Sequence, residues 1–138
     1  MDRHGLFRTR IHPRFCDTDA LGHIGNTVVP VWLLEGRESL LKLFVPDLDF
    51  RKSSLVVVRT EIDFLGELRF GADVEVTTAL EKIGNSSLVV LQEVHQDGEV
   101  RCRARTTMVN FDAQARKSQP ITDAVRRQLE EHRVADLP

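Results

Sequence analysis

The sequence predicts an α+β domain in which one largely antiparallel sheet curls around a single long, buried helix. Two observations carry that reading. Between Val28 and Val45 the apolar side chains are too dense for a narrow amphipathic stripe, as in a helix covered on most sides. Before and after it lie five segments that alternate apolar and polar residues, four of them consecutive, which is the pattern of half-buried strands. A chain of 138 residues suits one domain over its full length with a sizeable core.

In chain order, Leu6 to Phe15 sets Phe7, Thr9 and Ile11 on one face and Arg8, Arg10 and His12 on the other. Pro13 cannot donate to a ladder and marks an edge strand or a strand end. The helix then begins with Asn26 or Thr27 as its cap and Pro30 in the first turn, where a missing N–H costs little. Pro46 stops it, which gives one helix of about 17 to 19 residues. After the turn at Pro46–Asp49 comes the strand Ser54 to Phe64, with Val56, Val58, Thr60, Ile62 and Phe64 expected inside. Asp73 to Leu80 alternates again, with Val74, Val76, Thr78 and Leu80 inward.

Strands Ser87 to His95 and Glu99 to Phe111 form a hairpin around Gln96-Asp97-Gly98. Read as a three-residue loop, this sets Val94 against Val100, Val90 against Ala104 and Glu93 against Arg101. A two-residue Asp97-Gly98 turn would place Val94 opposite Arg101 and Val90 opposite Arg105, mixing the faces, so the longer loop is expected. Thr122 to His132 reads as a short polar helix capped by Thr122 or Asp123.

With 19 basic and 21 acidic side chains, near-neutral charge favours neither nucleic acid nor an anionic membrane as a partner. No apolar run is long enough to span a bilayer. Cys16 and Cys102 are widely separated, without metal-ligand spacing, and residues 1–10 lack a signal peptide's apolar centre, so a cytoplasmic chain with free thiols is expected. Cys16 reads as a small buried side chain, and Trp32 and Phe44 as helix core.

The stretch Asp17-Thr18-Asp19, Gly22-His23-Ile24, Asn26, Trp32, Glu35 and Arg37 joins the first strand to the helix. It resembles the signature of hotdog-fold acyl-CoA thioesterases of the 4-hydroxybenzoyl-CoA thioesterase type, and the later strands fit as well. Gly25 stands where that family usually has Asn, and Val29 where Tyr is common; both bear on the substrate. The resemblance implies a hotdog fold, a five-stranded antiparallel sheet wrapped around one long central helix. It also implies hydrolysis of an acyl-CoA to free acid and coenzyme A, with no cofactor.

By that resemblance Asp19 is the nucleophile or the general base, His23 a second catalytic position, and Asn26 the position whose amide, at the helix start, polarises the thioester carbonyl. This is coherent chemistry: a carboxylate beside the carbonyl carbon and donors aimed at the developing oxyanion. Spacing alone favours Asp19 as a loop or helix cap, and a lone His is more often structural. Asp17 reads as structural. A metal held by Asp17, Asp19 and His23 would need further ligands that the sequence does not cluster. Gly22 and Gly25 in the motif, and Lys82, Ser86 and Ser87 at the turn nearest the nucleotide end of coenzyme A in related enzymes, are implied substrate-binding positions. For the last three a polar turn is the plainer reading. Arg101, Arg103 and Arg105 could meet phosphates or simply be solvated and paired with Glu93. No Gly-x-Ser-x-Gly elbow is present.

Two rivals differ in kind. A non-hydrolytic acyl-CoA or acyl-carrier binding module could use the same fold, and a hydroxyacyl thioester dehydratase would need a different Asp and His arrangement. A homodimer at least, with a tetramer also open, is expected because the strand Leu55 to Phe64 would otherwise leave an exposed edge. Twofold pairing could set Arg59 against Glu61 of a second copy.

Overall fold

Strands β1 (Phe7–Ile11), β2 (Ser53–Phe64), β3 (Val74–Ile83), β4 (Ser87–Gln96) and β5 (Glu99–Asp112) form a curled antiparallel sheet in the order β1-β3-β4-β5-β2. The computed structural model describes residues 5–51 and 53–134. A sixth, two-residue strand that the sequence reading lacked, β6 (Lys117–Ser118), pairs with the end of β5. Helices α1 (Val29–Gly36) and α2 (Glu38–Phe44) lie on the concave face, and α3 (Asp123–Glu130) follows the sheet. No helix among the described residues is long and apolar enough to cross a membrane.

The expected single helix is therefore two, broken at Arg37, which ends α1 and begins α2. The break has a cause in the sheet. A Cβ on Gly36 would stand 2.5 Å from Cγ1 of Val76, so the backbone lies directly on β3. Thr78 Oγ1 donates to the Gly36 carbonyl at 2.8 Å and Gln92 Nε2 to the Leu33 carbonyl at 2.8 Å. These sheet side chains take carbonyls that a continuing helix would have used. Neither Asn26 nor Thr27 caps α1: Val28 occupies the cap position without a side-chain bond, while Pro30 does fall in the first turn. α1 is also not covered all round, since Val31 and Leu34 are exposed.

The concave face holds two apolar clusters. One gathers Val29, Trp32, Leu33, Leu68, Val74, Val76, Val94, Cys102 and Ala104. The other gathers Leu40, Leu80, Leu88, Val90, Met108, Ile121 and Leu129. Between them runs a buried polar belt: Gln92 Oε1 accepts from Arg37 Nη1 at 3.1 Å, and Gln92 Nε2 also donates to Thr78 Oγ1 at 3.0 Å. Burial holds the Arg37 guanidinium below its usual range, because removing the cation from water penalises the charged form.

Alternation located the strands but not every register. The β4–β5 connection is the two-residue Asp97-Gly98 turn, with φ of 55° and 78°, the left-handed pair of a type I′ hairpin. His95 then faces Val100, and a bulge at Arg101 sets Val94 against Cys102, Val90 against Thr106 and Glu93 against Arg103. The expected Glu93–Arg101 and Val90–Ala104 pairs are thus each displaced by two residues. The faces survive because the bulge restores the parity that the short turn breaks. In β2, Val58 is likewise an extra residue, so the inward set changes from Leu55 and Val57 to Thr60, Ile62 and Phe64. Val56 and Val58, expected inside, are exposed.

Other expectations hold. Val74, Val76, Thr78 and Leu80 are buried, β1 is an edge strand that ends before Pro13, and Thr122 caps α3 by accepting from Val125 N at 3.3 Å. The arginines of β5 are taken by acids, Arg101 by Glu99, Arg103 by Glu93 and Arg105 by Glu81, so the paired-face reading is the one seen.

Candidate active site

The loop between β1 and α1 is shaped by its own polar side chains. Asp17 is buried, and its carboxylate accepts from Arg14 N at 2.8 Å and Arg14 Nη2 at 3.0 Å. The Arg14 side-chain bond holds the Asp17 carboxyl below the usual carboxylate range, against the opposing effect of burial. Cys16, expected inside, is exposed because its neighbour Asp17 takes the inward position.

Asp19 and His23 close the next turn. Asp19 N donates to the His23 carbonyl at 2.7 Å, and Asp19 Oδ1 accepts from Leu21 N at 2.8 Å and His23 N at 3.2 Å. The capping geometry that spacing suggested is therefore present, and it uses one carboxylate oxygen. Gly22 has φ of +80°, a backbone that side chains resist. Gly25 has no such need: its N–H donates to the Asp17 carbonyl at 3.0 Å, and a Cβ there would meet nothing nearer than 3.9 Å.

A second segment is tied to this loop. Ile24 N donates to the Leu68 carbonyl at 2.9 Å, and His23 bridges to Arg69 in antiparallel fashion. This pairing sets Glu67 beside His23, with Nε2 3.4 Å from Oε2. Between the two segments, α1 and the end of β2 lies a cavity of about 380 Å³ lined by His23, Ile24, Asn26, Val29, Phe64, Gly66, Glu67, Leu68 and Cys102. That volume lies within the range of small-molecule sites.

His23 and Asn26 thus reach the cavity, while Asp19 and Gly22 lie on the same loop outside its lining, Asp19 held next to it by its backbone bonds with His23. At the start of α1, Val28 N is spent on the Gly25 carbonyl at 3.0 Å and Pro30 has no N–H. Asn26, exposed at this start, offers its side-chain amide to the cavity that it lines. Lys82, Ser86 and Ser87 are not brought here: their turn lies at the far end of β4 from Gln96, which accepts from Arg69 N at 3.0 Å. Nine residue-to-residue steps of strand separate the two ends, about 30 Å. The Ser86 carbonyl instead accepts from Asn110 N at 2.7 Å, and the Ser87 carbonyl from Gly84 N at 2.7 Å.

Sequence reading missed Phe64, Gly66, Glu67 and Leu68 as lining residues, and Cys102 as a wall. They come from two remote segments, and nothing in their local pattern separates them from ordinary strand ends. Burial pushes the Cys102 thiol up to about 11, so it stays protonated and behaves as an apolar wall. Among the described residues no three His, Cys, Asp or Glu side chains converge as metal ligands.

Comparison with known proteins gives a consistent picture. A family model described as the thioesterase-like superfamily matches residues 13–129. A Bacillus stearothermophilus structure described as a predicted thioesterase is similar over 95% of this chain and 98% of that one, at 42% identity and a TM-score of 0.91. A thioesterase from Thermus thermophilus, solved with coenzyme A and Zn, is similar over 94% and 95% of the two chains, at 27% identity and a TM-score of 0.83. In fold alone, a 1,4-dihydroxy-2-naphthoyl-CoA thioesterase from Synechocystis also matches, over 91% and 96% at 19% identity and a TM-score of 0.76. No curated protein matches the chain.

Proposed function

This chain belongs to the thioesterase-like superfamily and is a thioester hydrolase, and from that premise we propose that it cleaves acyl-CoA substrates with Asp19 as its catalytic carboxylate. The observation that carries the reading is the assembly of the β1–α1 loop around one cavity, with His23 and Asn26 in its lining and Asp19 anchored beside them through a single oxygen. The other oxygen, Oδ2, has no partner among the described residues. It is the one proposed to attack the thioester carbon or to take a proton from water.

Asn26 Nδ2 is proposed to donate to the thioester oxygen as charge develops there, and His23 to line the path of the departing thiolate. The relative solved with coenzyme A supports CoA as the carrier. Lys82, Ser86 and Ser87 are proposed to meet the nucleotide end only where a second copy brings its turn to this cavity. A dimer through β2 is proposed because that terminal strand exposes Val56, Val57, Val58 and Phe64. A tetramer would need a further interface. Within one chain Arg59 Nη2 already lies 3.0 Å from Glu61 Oε1, so a cross-dimer pair would have to exchange partners.

Asp19→Asn tests the core of the proposal. The amide oxygen keeps the bonds from Leu21 and His23 while the charge is lost, so turnover of a CoA thioester should fall by about 10² to 10⁴ with little change in binding. Full activity in a correctly folded Asp19→Asn would reject the assignment.

A further inference from the structure

Cys102 lines the cavity from β5 and is 0% exposed, whereas the next inward residue on that strand, Ala104, is outside the lining, 3% exposed and packed in the same apolar cluster. Ala104 sits directly beside Gln92 in the ladder. Gln92 is fully committed, to the Leu33 carbonyl, Thr78 Oγ1 and Arg37 Nη1, and among the described residues no carboxylate neutralises Arg37.

An acyl tail growing past Cys102 would therefore first overpack a filled cluster. It would then press methylenes against a buried amide and a buried cation whose few hydrogen bonds hold the α1–α2 break. Both steps are unfavourable, the second more so because a buried polar group parted from its partner incurs its full desolvation cost. The belt acts as a polar stop beneath an apolar pocket.

Resting on the acyl-CoA reading above, we infer that Cys102 is the floor that sets acyl length, and that this chain acts on compact acyl groups of up to about eight carbons or one aromatic ring. The size follows from the 380 Å³ of the cavity. At roughly 30 Å³ per non-hydrogen group, the share a water takes in the liquid, about a dozen such groups fit. The thioester and the adjoining pantetheine atoms take about four of them.

The test is kcat/KM for acetyl-, butyryl-, hexanoyl-, octanoyl-, dodecanoyl-, palmitoyl- and benzoyl-CoA with the full chain. Values should rise to hexanoyl or octanoyl, stay high for benzoyl, and fall about tenfold or more by dodecanoyl. Cys102→Ala should move the cut-off about one carbon longer, and Cys102→Leu at least about two carbons shorter. Val31→Ala, exposed on α1 and outside the cavity lining, should leave the length cut-off in place. A profile flat through palmitoyl-CoA, or a cut-off that neither Cys102 variant moves, overturns the inference. Should Cys102→Leu fail to fold, Cys102→Ala alone decides. If wild type hydrolyses none of these compounds, the acyl-CoA hydrolase reading fails separately. Calorimetric Kd values for the same series, on wild type and Cys102→Ala, then decide the length limit by the same cut-off.

Discussion

Glu93 and Arg103 are cross-strand partners, with Arg103 Nε 2.9 Å from Glu93 Oε2 and Glu93 only 2% exposed. The pair exists because the bulge at Arg101 advances β5 by one residue, and His95 Nε2 stands 3.3 Å from the other Glu93 oxygen. A double-mutant cycle of Glu93→Gln and Arg103→Gln should give a coupling of about 1 kcal/mol, between the values for exposed and buried charged pairs. The same cycle with Arg101 in place of Arg103 should give almost none. Denaturant unfolding of the six proteins measures both.

Gly36 should not tolerate a side chain. Alanine would favour the helix by about 1 kcal/mol, but its Cβ would stand 2.5 Å from Val76 Cγ1 and 3.1 Å from Gln92 Nε2. Gly36→Ala should be net destabilising by about 1–3 kcal/mol. Combined with Val76→Ala it should cost less than the sum of the two single changes, since the second change removes the nearest obstructing atom, Val76 Cγ1. Additive losses would show that the close approach is not the cause.

Asp17 should govern acid stability where Asp19 governs turnover. Because its folded carboxyl titrates below the usual value, near 3.9 when unfolded, its contribution is present above about pH 4 and is lost as pH falls through the folded value. Asp17→Asn should lower stability at pH 7 by about 1 kcal/mol, the usual cost of a lost cap. The gap to wild type should narrow below about pH 4. Unfolding curves at pH 7, 4 and 3 check this, and kcat per folded molecule should change far less than in Asp19→Asn.

The exposed edge of β2 should be an assembly surface. Val57 points inward before the bulge yet is 45% exposed, and a lysine there is how monomeric proteins protect such edges. Sedimentation should show wild type as at least a dimer at micromolar concentration and Val57→Lys shifted toward monomer. A wild-type chain that sediments as an active monomer would remove the proposed interface.

Local physics was enough to determine much of this protein from its sequence. Alternation located the five main strands and the inward faces of β1 and β3. Pro30 and Pro46 bounded the helical stretch, and the Asp17-to-Arg37 stretch pointed to the loop that carries His23 and Asn26. These signals are carried by residues near one another in the chain, where periodicity and backbone preference act directly.

Only the tertiary structure decided the rest, and each case depends on contacts between distant residues. The helix breaks at Arg37 because Val76 lies directly beneath Gly36 while Thr78 and Gln92, on β3 and β4, donate to the Gly36 and Leu33 carbonyls. The hairpin takes the short Asp97-Gly98 turn because a bulge at Arg101 can repair the parity that the turn upsets, and a parity argument without bulges cannot see that. Glu67, Phe64 and Cys102 line the cavity because strand order brings the ends of β2 and β5 to the β1–α1 loop. A face can be read from alternation, since its period is local, but a register and a cavity floor are set by which remote side chains fill the space.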